Sequence, residues 1–218
     1  MWSHHYTTAA SLHAIVTLEG VYQRCLGTEI QAARERDALN ARILNLPNLS
    51  PELLQQYLGQ DRVNDIVKVE VIEKLRRAFF ISAFSTLEVA LIGVTLRVLD
   101  QSDETREFKK FGRSSFERVK EALCHAKLFE LFFSDEDWEK TNRYKDVRNS
   151  LVHASGLRFI DNNWEKTKDS IRETGGEIMF QGDDLEQISI TGRCVSSLFN
   201  DVLHLLMNIG SQEKRCSN

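Results

Sequence analysis

The run Arg148-Asn149-Ser150-Leu151-Val152-His153 places a permanent cation, a carboxamide and an imidazole within six residues, followed at once by Ala154-Ser155-Gly156. Arginine can grip a phosphate through its planar fork of donors, and histidine can carry a proton near neutral pH. No other stretch of the chain combines reactive groups so compactly. On a helix, Arg148 and His153 stand five residues apart, roughly 140° around the axis, so they do not share one line. Asn149 and His153 are four apart and do face each other, so Asn149 can orient the imidazole. The long arginine can swing toward the same cleft.

The elements around this run read as helices. Ser134-Asp135-Glu136-Asp137 has capping-box spacing with acids in the first turn, and starts a helix that carries Trp138, Tyr144, Val147 and Leu151. That helix ends near His153, with Gly156 as its C-cap. The only two prolines, Pro47 and Pro51, sit together, a scarcity that favours long helices elsewhere. Thr8 to Leu44 reads as one helix whose charged, Ala-rich second half projects or packs one face. Ser50 and Pro51 open a short helix to about Leu58, ending near Gly59. A long helix follows from about Asp61 to Leu99, with apolar residues at spacings of three and four, and Phe79 to Leu96 is apolar nearly all round, as a buried spine should be. Ser114 or Ser115 caps a helix to about Phe129. Leu157-Arg158-Phe159-Ile160 and Glu177-Ile178-Met179-Phe180 are β-prone, and Gly175-Gly176 and Gly182-Asp183-Asp184 flank the second run. Thr191 opens a last helix. The fold class is therefore all-α: a helical bundle with a long N-terminal helix and a small β-like insertion before the last helix. Residues 1–60 read as an N-terminal extension, 61–211 as the main domain and 212–218 as a disordered tail.

The chain has 218 residues and a net charge of −4, so it lacks the global basic footprint of a protein that coats nucleic acid. Residues 104–172 carry 15 Lys and Arg against 13 Asp and Glu, and the run at 148–153 lies in this one segment with a positive balance. Lys140, Arg143 and Lys145 within it suit either a solvated face or an RNA backbone. Four cysteines, Cys25, Cys124, Cys194 and Cys216, match no zinc spacing; the first three read as reduced, small core residues. Met1-Trp2-Ser3-His4-His5 lacks the start of a signal peptide, and no apolar run reaches transmembrane length. These features predict a reducing, cytoplasmic setting without a membrane.

Arg148-Asn149, a His a little over one helical turn on, and a Gly three residues past it resemble the signature of the HEPN superfamily, the higher eukaryotes and prokaryotes nucleotide-binding domain. Phe84-Ser85-Thr86-Leu87-Glu88-Val89-Ala90-Leu91 looks like an earlier core helix of such domains, and the resemblance covers roughly residues 65–210. It implies a homodimer whose motifs face one another. It also implies an endoribonuclease that needs no metal and no cofactor, working as a toxin or antiviral effector, with a cognate antitoxin or regulator as a possible further partner. The alternative within the family is a non-catalytic module for nucleotide binding, dimerisation or partner binding. Carried over by position, Arg148 and His153 are the catalytic pair and Asn149 the polar accessory. Lys145 and Arg143 would bind substrate. Glu88, in an apolar helix where an unpaired carboxylate is costly, either pairs with Arg148 or reaches solvent. Isolated His13, His125 and His204 read as ordinary surface or packing residues, and Trp138 and Tyr144 as core.

Overall fold

A computed structural model describes residues 6–44, 51–101, 108, 110–112, 114–154, 156–157, 160–174, 178–181 and 187–216. The elements are α1 (Tyr6–Leu44), α2 (Pro51–Gln101), α3 (Ser115–His125), α4 (Phe129–Phe132), α5 (Asp135–His153), α6 (Trp164–Arg172), β1 (Ile178–Gln181), β2 (Gln187–Ile190) and α7 (Gly192–Cys216). The fold is all-α, with one small antiparallel hairpin just before the last helix.

The second half of α2 is the spine. Phe80, Ala83, Phe84, Leu87, Ala90, Leu91 and Val94 are all buried, at the three-and-four spacing that lines a helix face. α1, α7 and α5 pack against it. α1 supplies Ile15 and Tyr22, and the Tyr22 ring lies 5.1 Å from Phe79 and 5.9 Å from Phe199. Large side chains buried in this way contribute about 1.5–3 kcal/mol each. The segment Glu70–Arg97 has the length and apolar composition of a membrane span. By length and composition it therefore departs from the expectation that no apolar run reaches a membrane span; half of it is buried, and Phe80, Phe84, Leu87 and Leu91 are among the side chains that make this core.

A second aromatic cluster fastens α2, α3, α4 and α5 together. Phe116 stacks on Trp138 at 4.6 Å and on Phe84 at 5.8 Å, while Phe129 and Phe133 meet Trp138 edge-on. This cluster places the start of α3 beside α5. Ser114 caps α3 through a reciprocal capping box with Glu117. Ser134 caps α5, accepting from the Asp137 N–H at 3.1 Å and donating to its carboxylate at 2.7 Å.

Several boundaries differ from the sequence reading. α2 runs unbroken through Gly59, so the expected edge at residues 60/61 falls inside a helix. One internal glycine costs about 1 kcal/mol, less than nucleating a separate helix. α3 stops at His125 because Lys127 takes a left-handed φ of 56°, which splits the helix expected to reach Phe129. α6 is an added helix, with Trp164, Thr167 and Ile171 on its buried face. β1 pairs with β2; among the described residues of the run at 157–160, Leu157 makes a bridge, to Gln187. α7 continues to Cys216, past Gln212 where a tail was expected, because Glu213, Lys214 and Arg215 are good helix formers. Cys194 is buried and Cys25 half-buried, but Cys124 is exposed and is not a core residue. Pro47, Ser50, Gly175, Gly176 and the turn at 182–184 lie outside the described residues.

The end of α5 is tied to the hairpin through Gly156, which is not itself the C-cap; Ala154 is. The Gly156 N–H donates to the Ser150 carbonyl at 3.0 Å, and its own carbonyl accepts from the Ile188 N–H at 2.8 Å. Its φ is +68°, and a Cβ there would lie 3.1 Å from Leu151 Cδ2 and 3.2 Å from Ile188 Cβ. Gly156→Ala should therefore destabilise the fold by about 1–3 kcal/mol. Urea unfolding measures this, and an unchanged midpoint would show that the junction is not tight.

Candidate functional site

α5 presents different chemistry on different faces. Tyr144, Val147 and Leu151 point into the core. Lys145, Asn149 and His153, at successive fours, line a cleft of about 360 Å³ between α5, the start of α3 and the segment leading into α6. His153 is the last residue of α5, is exposed, and makes no hydrogen bond or ion pair with the described residues. It is the one imidazole among the described residues of the cleft.

Arg148 sits on the neighbouring face, toward α2. Its Nη2 lies 3.4 Å from Glu88 Oε2, each side chain 22% exposed, and Ser115 Oγ donates to the other Glu88 oxygen in a short hydrogen bond. Of the two options for Glu88, pairing is the one the fold adopts. Arg148 Nη1 donates to Asn149 Oδ1 at 3.0 Å, while Arg148 Nε is buried without a partner. Asn149 thus spends its oxygen on the arginine and not on His153. A carboxamide oxygen prefers a cationic donor to a neutral ring nitrogen, because charge strengthens the bond. Arg148 does not line the cleft, so the expected swing toward it is not the conformation seen.

The other predicted residues separate. Lys145 lies in the cleft, with Nζ 2.9 Å from Asn142 Oδ1, 3.8 Å from Asp146 and 5.6 Å from the centre of the Phe116 ring. Burial holds its ammonium below the usual lysine pKa, Asp146 opposes that shift, and Lys166 adds to it. Arg143 is bound to Glu173 at 2.7 Å, away from the cleft, and Lys140 to Asp201 at 2.8 Å. Trp138 and Tyr144 are core, and the Tyr144 hydroxyl donates to Asp201 at 2.8 Å. His13, His125 and His204 are exposed; His4 and His5 lie outside the described residues. Among the described residues, no three His, Cys, Asp or Glu side chains gather as a metal site.

Part of the cleft was not anticipated. Lys166 of α6 bonds Asp146 at 3.0 Å, and Ser170 donates to the same carboxylate at 3.2 Å, tying α6 to α5. Asp161 accepts from the Asn163 N–H and from Thr167 Oγ1. Both carboxylates are therefore engaged within the wall. The signal was present in Asp161-Asn162-Asn163, a helix start followed by Trp164 and, two turns on, Ile171. No family model, curated protein or solved structure matches the chain, so the site is read from its own geometry.

Two outcomes follow from these contacts. Because folding favours the neutral form of Lys145, the unfolded chain holds that proton to higher pH than the folded one, and stability rises with pH between the two pKa values. Lys145→Met should flatten that rise on the alkaline side, just below the ordinary lysine range, seen in urea midpoints across pH; identical slopes would place Lys145 in water. Glu88→Ala should cost about 1–3 kcal/mol, because it leaves Arg148 without its anion at a site still partly reached by solvent. An unaltered thermal midpoint would show the pair to be incidental.

Proposed function

We propose that this chain is a HEPN-type endoribonuclease that acts as a homodimer in the cytoplasm, in a toxin or antiviral defence setting. The observation that carries this reading is the exposed His153 at the end of α5, in a cleft with Asn149 and Lys145, with Arg148 one residue from Asn149. RNA brings its own nucleophile. His153 would take the proton of the 2′-OH as that oxygen attacks the adjacent phosphorus. The bond from phosphorus to the 5′-oxygen breaks, the leaving oxygen takes a proton from a second imidazole, and a 2′,3′-cyclic phosphate and a 5′-OH remain. Arg148 would offset charge on the phosphoryl oxygens, which requires it to leave Glu88 or to share it. The chemistry needs no metal ion.

One imidazole per cleft cannot be base and acid at once, and a second copy supplies the other. Val152, beside His153, is 44% exposed, and Val89, beside Glu88, is 61% exposed. Apolar side chains so placed suit an interface around the motif.

Wild-type, Arg148→Ala and His153→Ala proteins incubated with RNA in EDTA test this. Either substitution should reduce cleavage by about a hundredfold or more, the range of one acid–base or electrostatic group. The variants should remain folded, and wild-type products should end in cyclic phosphate. Equal cleavage by all three, or complete dependence on a divalent ion, contradicts the reading.

One observation favours a second reading, a non-catalytic module that binds a nucleotide or a partner. Arg148 is already engaged by Glu88 and Asn149 and does not line the cleft. No cleavage of RNA, together with nucleotide binding lost in Arg148→Ala, would select it.

A further inference from the structure

A second cavity, of about 570 Å³, lies between α2, the hairpin and the start of α7, and shares no lining residue with the α5 cleft. Its charged groups are Glu70, Glu73, Lys74, Arg76 and Arg77, three cations against two acids. Four of the five are accounted for. Glu73 accepts from the Ile190 N–H at 2.9 Å and from Ser189 Oγ at 3.2 Å, and pairs with Arg77 at 3.1 Å. Arg77 also donates to the Ile188 carbonyl at 2.5 Å. Lys74 pairs with Glu70 at 3.8 Å. Those bonds hold β2 on α2 and neutralise one another.

Arg76 is left over. It makes no hydrogen bond or ion pair with the described residues, and its Nε is shut off from solvent with no partner. The sealed Nε does not face the cavity, so an acceptor there would be taken by the two Nη groups of Arg76, which have no partner either. Its guanidinium stands beside Gly192, the first residue of the 25-residue α7: a Cβ on Gly192 would lie 3.8 Å from both Arg76 Nε and Nη2. The positive end of a long helix and an unpaired guanidinium therefore bound the same space. Ile72, Met179 and Ile190 give that space an apolar wall.

We infer that this cavity binds a small phosphate ester, its phosphoryl group on Arg76 and the first turn of α7, its body against Ile72 and Met179. A guanidinium offers a phosphate two parallel charge-assisted bonds, and a helix N-terminus adds to the attraction. Pockets of this size hold a molecule no larger than a mononucleotide or a drug-sized ligand. The inference is independent of the α5 cleft and of the reaction assigned to it.

Calorimetric titration of the full chain with phenyl phosphate, inorganic phosphate and phenol tests it. Phenyl phosphate should bind one per chain and more tightly than inorganic phosphate, and phenol should not bind. Arg76→Gln should weaken phenyl phosphate by at least about tenfold, the scale of a lost charge-assisted bond. Arg148→Ala and His153→Ala should bind it as the wild type does, which separates this site from the α5 cleft. Should Arg76→Gln fail to fold, the amide resonance of Gly192 in the wild type decides: a saturable shift with phenyl phosphate supports the site. No saturable binding, unaltered affinity in folded Arg76→Gln, loss of binding in Arg148→Ala, or a silent Gly192 overturns it.

Discussion

A carboxylate in the middle of an otherwise apolar spine has to be answered. Glu88 of α2 is answered by Arg148 of α5 and by Ser115 at the start of α3. In water an ion pair of this kind contributes little. Here each partner is mostly withdrawn from solvent, and leaving either one alone would cost more than the pair gains. The pair is made in the same rotation of α5 that buries Tyr144, Val147 and Leu151. With Arg148 turned to α2, the residues at successive fours, Lys145, Asn149 and His153, are turned to the cleft.

The same rotation divides labour along one helix. The buried face anchors α5 to the core through Tyr144, Val147 and Leu151. The cleft face is closed from the far side by α6, held through Asp146 to Lys166 and Ser170. At the end of the helix, Gly156 folds back onto Ile188, so that His153 stands where regular structure stops. In the proposed reaction this places an imidazole at a rim, with its neighbouring arginine tethered by Glu88. The tether holds the cation close without committing it. The proposed reaction would require Arg148 to exchange Glu88 for a phosphate, two anions that compete for one guanidinium.

Much of this was legible in the residues. The spine of α2, the caps at Ser114 and Ser134, the end of α5 near His153 and the presence of a small β insertion before the last helix follow from local patterns, whereas the second strand, Gln187–Ile190, was not read. What was not legible depends on distant partners. Whether Glu88 meets Arg148 is a matter of how two helices cross, sixty residues apart in the chain. Asn149 faces His153 by spacing, yet a stronger donor one residue away takes its oxygen. Arg143 and Lys145 look alike in the sequence; Glu173 claims the first, and the Phe116 ring with Asn142 holds the second beside the cleft. Gly59 reads as a stop, but one glycine is too weak a breaker against helix on both sides.

In the proposed reaction the exposed imidazole at the end of α5 activates a nucleophile that the substrate itself carries. The most direct measurement uses a short RNA with one mapped cleavage position, alongside the same strand bearing a single 2′-deoxy nucleotide at that position. Loss of cleavage at the substituted position, with cutting elsewhere on the strand unaffected, is the predicted result. Cleavage that continues there at an undiminished rate would contradict the account, because the attacking oxygen would then have to come from somewhere other than the RNA.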